Sequence, residues 1–112
     1  MSVKNVIKAI ALTSIDSSTF TESYQVINSS GLPNACSLLR ITNGSNVAVT
    51  ISYDGSTDND YLAAGQVLPI YAQANSQSPN LSALFPIGTK VYVKGSAGAG
   101  SVYLAGYYQP NA

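Results

Sequence analysis

Histidine and tryptophan are absent from this chain, cysteine occurs once, and ionic groups are scarce. Each shortage closes off a kind of chemistry. Without an imidazole there is no base for Ser-His-Asp or Cys-His nucleophilic catalysis. One cysteine, Cys36, makes neither an intrachain disulfide nor a multi-cysteine zinc site. Apolar runs stay well short of the roughly 18 residues that a membrane-spanning helix needs. Asp, Glu, Lys and Arg make up 9% of the residues, and the formal net charge is zero; about 25% is usual. Lys4, Lys8, Lys90 and Lys94 are scattered through the chain, so the basic patch that nucleic-acid binding requires is missing. Nucleic acid and membrane are therefore not among the expected partners, and no cofactor is implied.

Polarity comes instead from Ser, Thr, Asn, Gln and Gly. A neutral surface of this kind resists association poorly, because little like-charge repulsion keeps molecules apart. It suits a protein whose surface is meant to be covered. At 112 residues the chain is the size of one domain and can bury a modest core, which oligomerisation would reinforce. We read residues 1–112 as a single β-sandwich domain.

Period-two alternation dominates. Val47, Val49, Ile51 and Tyr53 alternate with Ala48, Thr50, Ser52 and Asp54, the pattern of a strand with one buried and one wet face. Ser37 to Thr42 reads as a second strand, and Asn43-Gly44-Ser45-Asn46 between them predicts a hairpin turn. Further strands are expected over Tyr24–Ile27, Val67–Tyr71, Thr89–Lys94 and Ser101–Tyr108. Pro69 inside one of them predicts a sheet edge or a bulge, and Gly95 to Gly100 a flexible hairpin connector. Ser78 and Pro79 are placed to open one helical turn.

The N-terminal residues fit two patterns. Val3, Val6, Ile7 and Ile10 have helical spacing, whereas Val6, Ile10 and Leu12 share one face of a strand. The abundance of Ile and Val favours an edge strand or extended arm over residues 1–15. Lys8 interrupts the apolar stretch and no small-x-small site follows, so this segment is read as mature protein. About seven or eight short strands separated by turns make the expected fold all-β: an antiparallel β-sandwich, jelly-roll-like.

Three segments carry residue types that could support chemistry. Asp54, Asp58, Asp60 and Asn59 bring enough oxygen to wrap a calcium ion, but Leu62 falls where an EF-hand needs a further oxygen ligand and no closing Glu follows. The expected reading is a connection between strands, with Asp54-Gly55 making the turn. The glycines from Gly95 to Gly100 lack the Gly-Lys-Ser/Thr ending of a phosphate-binding loop. Cys36 opens an apolar strand and is expected to be a buried small hydrophobe. No pair among Asp16, Glu22, Asp54, Asp58 and Asp60 stands out for glycoside hydrolysis. No catalytic, metal or cofactor-binding residue is expected.

Tyrosine is the enriched aromatic, with eight copies, and it serves both half-buried strands and interfaces. Tyr107 and Tyr108 are adjacent and must point to opposite faces of the last strand, so one of them faces solvent or a partner. The expected contact residues are Val3, Val6, Ile7 and Ile10 of the arm, with Tyr107 and Tyr108.

Leu38-Leu39-Arg40-Ile41-Thr42-Asn43, Ile51-Ser52-Tyr53-Asp54-Gly55, Tyr61-Leu62-Ala63-Ala64-Gly65 and the closing run from Gly88-Thr89-Lys90-Val91-Tyr92-Val93-Lys94-Gly95 to Tyr108 resemble small bacteriophage head-associated virion proteins. The resemblance spans roughly Asn28 to Gln109. It implies a virion location and a decoration or cement role, with the major capsid protein or other virion subunits as partners and a homodimer or homotrimer as the assembly. A carbohydrate-binding module or a tail-fibre or neck domain is the alternative. The resemblance carries over no functional residue.

Overall fold

The computed structural model describes residues 7–71 and 84–109. Apart from one three-residue 3-10 turn at Ser17–Thr19, the regular structure of those residues is all β. The strands are β1 (Lys8–Ala9), β2 (Thr13–Asp16), β3 (Gln25–Val26), β4 (Leu38–Asn43), β5 (Val49–Ser52), β6 (Asp60–Leu62), β7 (Val67–Tyr71), β8 (Tyr92–Gly95) and β9 (Ser101–Tyr108). They form two antiparallel sheets. In the first, β1 and β2 lie one after the other along β9, and the order continues β9-β4-β7; the second runs β3-β8-β5-β6.

This order is that of a two-stranded ribbon rolled up on itself. Its rungs are β2 with β9, β3 with β8, β4 with β7, and β5 with β6. Rolling the ribbon then adds the pairs β4–β9 and β5–β8. If β1 and β2 count as one interrupted strand, the result is an eight-stranded jelly roll, as the alternation and turn spacing predict. The ribbon persists between the sheets as well. Ile27 donates to the Val91 carbonyl (2.8 Å), Leu32 to Thr89 (3.0 Å), and Cys36 and Phe85 exchange both backbone bonds (2.9 and 2.8 Å).

The core lies between the sheets, where period-two alternation turns one face of every strand inward. Leu39 and Ile41 of β4 and Val102 and Leu104 of β9 face Val49 and Ile51 of β5, Leu62 of β6 and Val93 of β8, all essentially inaccessible. Pro69 sits on β7, an edge strand, where the missing N–H costs no ladder bond.

Two expected hairpins are corners instead. β4 and β5 belong to different sheets, so the segment from Asn43 to Asn46 crosses the sandwich and does not reverse within a sheet. Asn43 is the reason. Its side chain is fully buried, and its two amide hydrogens serve the carbonyls of Val47 (2.8 Å), Leu62 and Ala63 (both 3.2 Å). Its Oδ1 accepts from the backbone N–H (3.0 Å) and the hydroxyl (2.6 Å) of Ser45. A tight turn would have kept the apolar rows of β4 and β5 in one sheet; the corner lets them face each other. Gly95 to Gly100 likewise joins β8 in one sheet to β9 in the other. Gly100, at φ 95°, passes so close to the Gly44–Ser45 backbone that a Cβ would not fit.

Strand limits differ from expectation at two places. Thr89 to Val91 is not laddered into β8, because the Asn28 side chain intervenes: its Nδ2 donates to the Thr89 carbonyl (3.0 Å) and its Oδ1 accepts from Val91 N–H (2.9 Å). Tyr24 and Ile27 fall outside the two-residue β3. The turn expected at Ser78 and Pro79 lies outside the described residues, as do Val3 and Val6.

Asn43→Ala deletes the side chain that ties the corner and takes a partner from five polar groups, of which the Ser45 hydroxyl and Val47 carbonyl still have each other. It should cost about 3 kcal/mol, read as a lower urea midpoint at unchanged slope. Thr13 tests the opposite sign. Its hydroxyl is buried and has no hydrogen-bond partner, so the isosteric Thr13→Val should raise stability by about 1 kcal/mol in the same assay.

Candidate contact surface

The outer face of the first sheet is the unusual surface of this protein. Register aligns Tyr71, Leu38 and Tyr107 in one row across β7, β4 and β9, then Pro69, Arg40 and Ala105, then Val67, Thr42 and Tyr103. The inward positions of the same strands already fill the core, so these strands are apolar on both faces. Tyr71 is 69% exposed and Val67 50%. Arg40 is the one ionic group in those three rows, and it lies down on its neighbour. Its Nη2 donates to the Tyr107 hydroxyl at 3.2 Å, with the guanidinium carbon 5.6 Å from the ring centre, a cation–π geometry. In plan the face measures roughly 250 Å² from ordinary strand spacing and rise.

The expected contact residues divide. Tyr107 belongs to this outer face and is half-covered by Arg40. Tyr108 and Ile10 point inward and pack against the core. Ile10 donates its N–H to the Gly106 carbonyl (2.9 Å), and its side chain lies where a Cβ on residue 106 would stand. Ile7 is 59% exposed, beside β1. The strongest members, Val67, Leu38 and Tyr71, were not among those expected. Their signal was present: Val67-Leu68-Pro69-Ile70-Tyr71 is apolar at odd and even positions alike, so one of its faces had to lie outside the core.

The acidic loop faces inward on its own polar groups. The Asp54 carboxylate accepts from the N–H of Ser56 (2.9 Å) and Thr57 (2.7 Å) and from the hydroxyls of Thr57 (2.7 Å) and Ser52 (2.8 Å). These bonds, led by the Thr57 N–H, hold its pKa well below the usual carboxylate range. Asp58 accepts from the Tyr24 hydroxyl and pairs with Lys94 at 3.2 Å, and Tyr24 foremost, then Lys94, lower its pKa. Asp60 accepts from the Tyr53 hydroxyl (2.7 Å). Each carboxylate thus turns to different protein donors, and no three His, Cys, Asp or Glu side chains converge among the described residues. Cys36 is fully buried and burial pushes its thiol up, the opposite of what a nucleophile needs.

Partial desolvation, with the Asp58 contact second, pushes Tyr24 up to about 12. A group whose pKa rises on folding adds stability that is complete below its unfolded value, about 10, and is lost as pH climbs through the folded value. Stability should therefore fall between about pH 10 and 12. Ultraviolet tyrosinate absorbance should show a late step near 12 that Tyr24→Phe removes; an unchanged titration in that variant would show that the Tyr24–Asp58 bond does not form.

No family model matches this chain, and no curated protein matches it. Among solved structures, one described as "Bacillus endospore appendages form a novel family of disulfide-linked pili" is similar over 97% of this chain and 95% of that one, with 14% identity and a TM-score of 0.42. A likeness at that level carries no functional argument.

Proposed function

We propose that this protein is a non-enzymatic structural component of a bacteriophage particle, a decoration or cement protein that docks on the assembled shell through the outer face of its first sheet. The observation that carries this reading is the β7–β4–β9 face, nearly free of charge and apolar beyond what the core requires. The similarity to small head-associated virion proteins supplies the kind of partner, the major capsid protein.

Area sets the manner of binding. About 250 Å² is roughly a third of what one partner contributes to an ordinary stable interface. A single contact of that size is weak. Copies held to a lattice, each touching more than one subunit or joined as a homodimer or homotrimer, gain effective concentration that one contact lacks. Low charge helps, because little ionic desolvation opposes burial of the face.

Mixing purified protein with shells that lack it should give saturable binding and a higher temperature of shell disruption. Tyr71→Glu places a charge on the contact face at its most exposed corner, so its own melting temperature should hold, while shell affinity falls at least tenfold, about 1.4 kcal/mol. Absence of saturable binding, or full binding by Tyr71→Glu, would remove the proposal.

A further inference from the structure

The opposite side of the sandwich carries a polar cleft of about 230 Å³, lined by Glu22, Ala48, Thr50, Lys94, Gly95 and Ser96. It opens where three crossovers between the sheets meet, those joining β2 to β3, β4 to β5, and β8 to β9. Gly95, where a Cβ would stand 2.8 Å from the Ala48 carbonyl, brings only backbone to its lining.

Glu22 is the anomaly at its rim. Among the described residues it alone holds a positive φ without being glycine, at 67°. That conformation is costly for a residue with a Cβ and a long side chain, and such strain is a pointer towards function when something else agrees with it. The backbone is pinned there by the bond from Glu22 N–H to the Gly95 carbonyl (3.1 Å). The Glu22 carboxylate has no hydrogen bond or ion pair among the described residues. A strained backbone therefore holds an unused pair of acceptor oxygens at a cleft.

The other walls limit what those oxygens can meet. Lys94 is already neutralised by Asp58 and lies over the Tyr24 ring, 4.7 Å from its centre, which leaves its ammonium donor capacity without a free positive charge. Thr50 and Ser96 bring hydroxyls that both donate and accept. Tyr61, 69% exposed, stands directly across from Thr50 in the β5–β6 register and so shares the face on which the cleft opens. Mixed donors and acceptors, no spare cation and an exposed aromatic at the side describe a site for a neutral polyol with one apolar face.

We propose that this cleft binds a neutral pyranose residue of a glycan, with Glu22 accepting from adjacent sugar hydroxyls, Lys94, Thr50 and Ser96 completing the polar contacts, and Tyr61 covering the C–H face of the ring. The aromatic face is negative and the sugar C–H edge positive, so stacking is attractive. Acidic sugars are disfavoured by the unpaired Glu22 charge. The cleft and the docking face lie on opposite sheets, so a particle-bound copy keeps the cleft open to solution.

The test is an NMR titration of the isolated full chain with methyl glycosides of glucose, galactose, mannose and N-acetylglucosamine. Glucuronate and ethanolamine serve as acidic and amine probes. At least one neutral glycoside should give saturable shifts at Thr50, Lys94, Ser96 and Tyr61 with a dissociation constant in the millimolar range. Glu22→Gly relieves the backbone and deletes the carboxylate, so it should bind at least tenfold more weakly while its melting temperature stays level or rises. Glu22→Gln, which keeps the side chain's size, should also weaken binding. Saturation by ethanolamine alone, no saturable shifts with any neutral glycoside, undiminished binding by Glu22→Gly, or a fall in its melting temperature would each overturn the proposal. Shell docking uses the other sheet and is measured separately, so neither result decides the other.

Discussion

The whole molecule depends on how a flat ribbon is made to turn corners. An antiparallel ribbon has every internal ladder bond made, but it hides neither face, and one long hairpin is barely stable in water. Rolling it creates an inside, at the cost of breaking ladders wherever the strands change sheet. The freed backbone groups must find other partners, because buried unpaired ones are costly. Asn43 does this at the β4–β5 corner for Val47, Leu62 and Ala63 together, and thereby ties that corner to the β6–β7 turn, its partner in the ribbon. Gly44 and Asn46 donate to Ser101 and Ala99, which brings in the β8–β9 corner. One buried amide stands at the junction of three crossovers. Asn28 repeats the device where Thr89 and Val91 have left the ladder. In a chain with so few ionic groups, side-chain amides are the natural tool, since they donate and accept with no charge to desolvate.

What the sequence revealed follows from the reach of period-two alternation. It identifies strands and their inward faces, and so β4, β5, β7 and β9 lie close to where Ser37–Thr42, Val47–Tyr53, Val67–Tyr71 and Ser101–Tyr108 predicted them. It does not say whether two successive strands pair or face each other. Asn43-Gly44-Ser45-Asn46 has the composition of a hairpin turn, and the same residues make a corner once the Asn43 side chain is drawn inside. That outcome turns on contacts with Leu62, Ala63 and Ala99, all distant in sequence. Alternation also fails where side chains replace ladder partners, and the start of β8 was therefore expected too early.

The contact surface was legible only in part for a related reason. Interface residues were sought at the chain's arm and at the Tyr107–Tyr108 pair, because these looked left over from the core. Of the two forms expected for residues 1–15, edge strand or arm, Lys8–Ala9 and Thr13–Asp16 take the first: β1 and β2 both pair with β9, and Ile10 packs inside. Adjacent tyrosines had to point to opposite faces, and they do, Tyr108 inward and Tyr107 outward beneath Arg40. The larger signal lay in strands whose two faces are both apolar. In a parallel sheet covered by helices such strands mean burial on both sides. Among the described residues no α-helix covers them, and their outer face lies open.

The two outer faces of the sandwich differ, and the difference follows from the corners. The β7–β4–β9 face is made of the outward side chains of regular strands, and apart from Arg40 and Thr42 these are largely apolar. The β5–β8 side is bounded by the crossovers, which bring Glu22, Ser96 and the backbone of Gly95 beside Thr50 and Lys94. A rolled ribbon thus separates smooth sheet from polar, irregular rim without any change of fold. Smooth surface of low charge favours burial against another protein, whereas a rim of fixed donors and acceptors favours a small polar ligand. The described residues present these two kinds of surface on opposite sides of the sandwich.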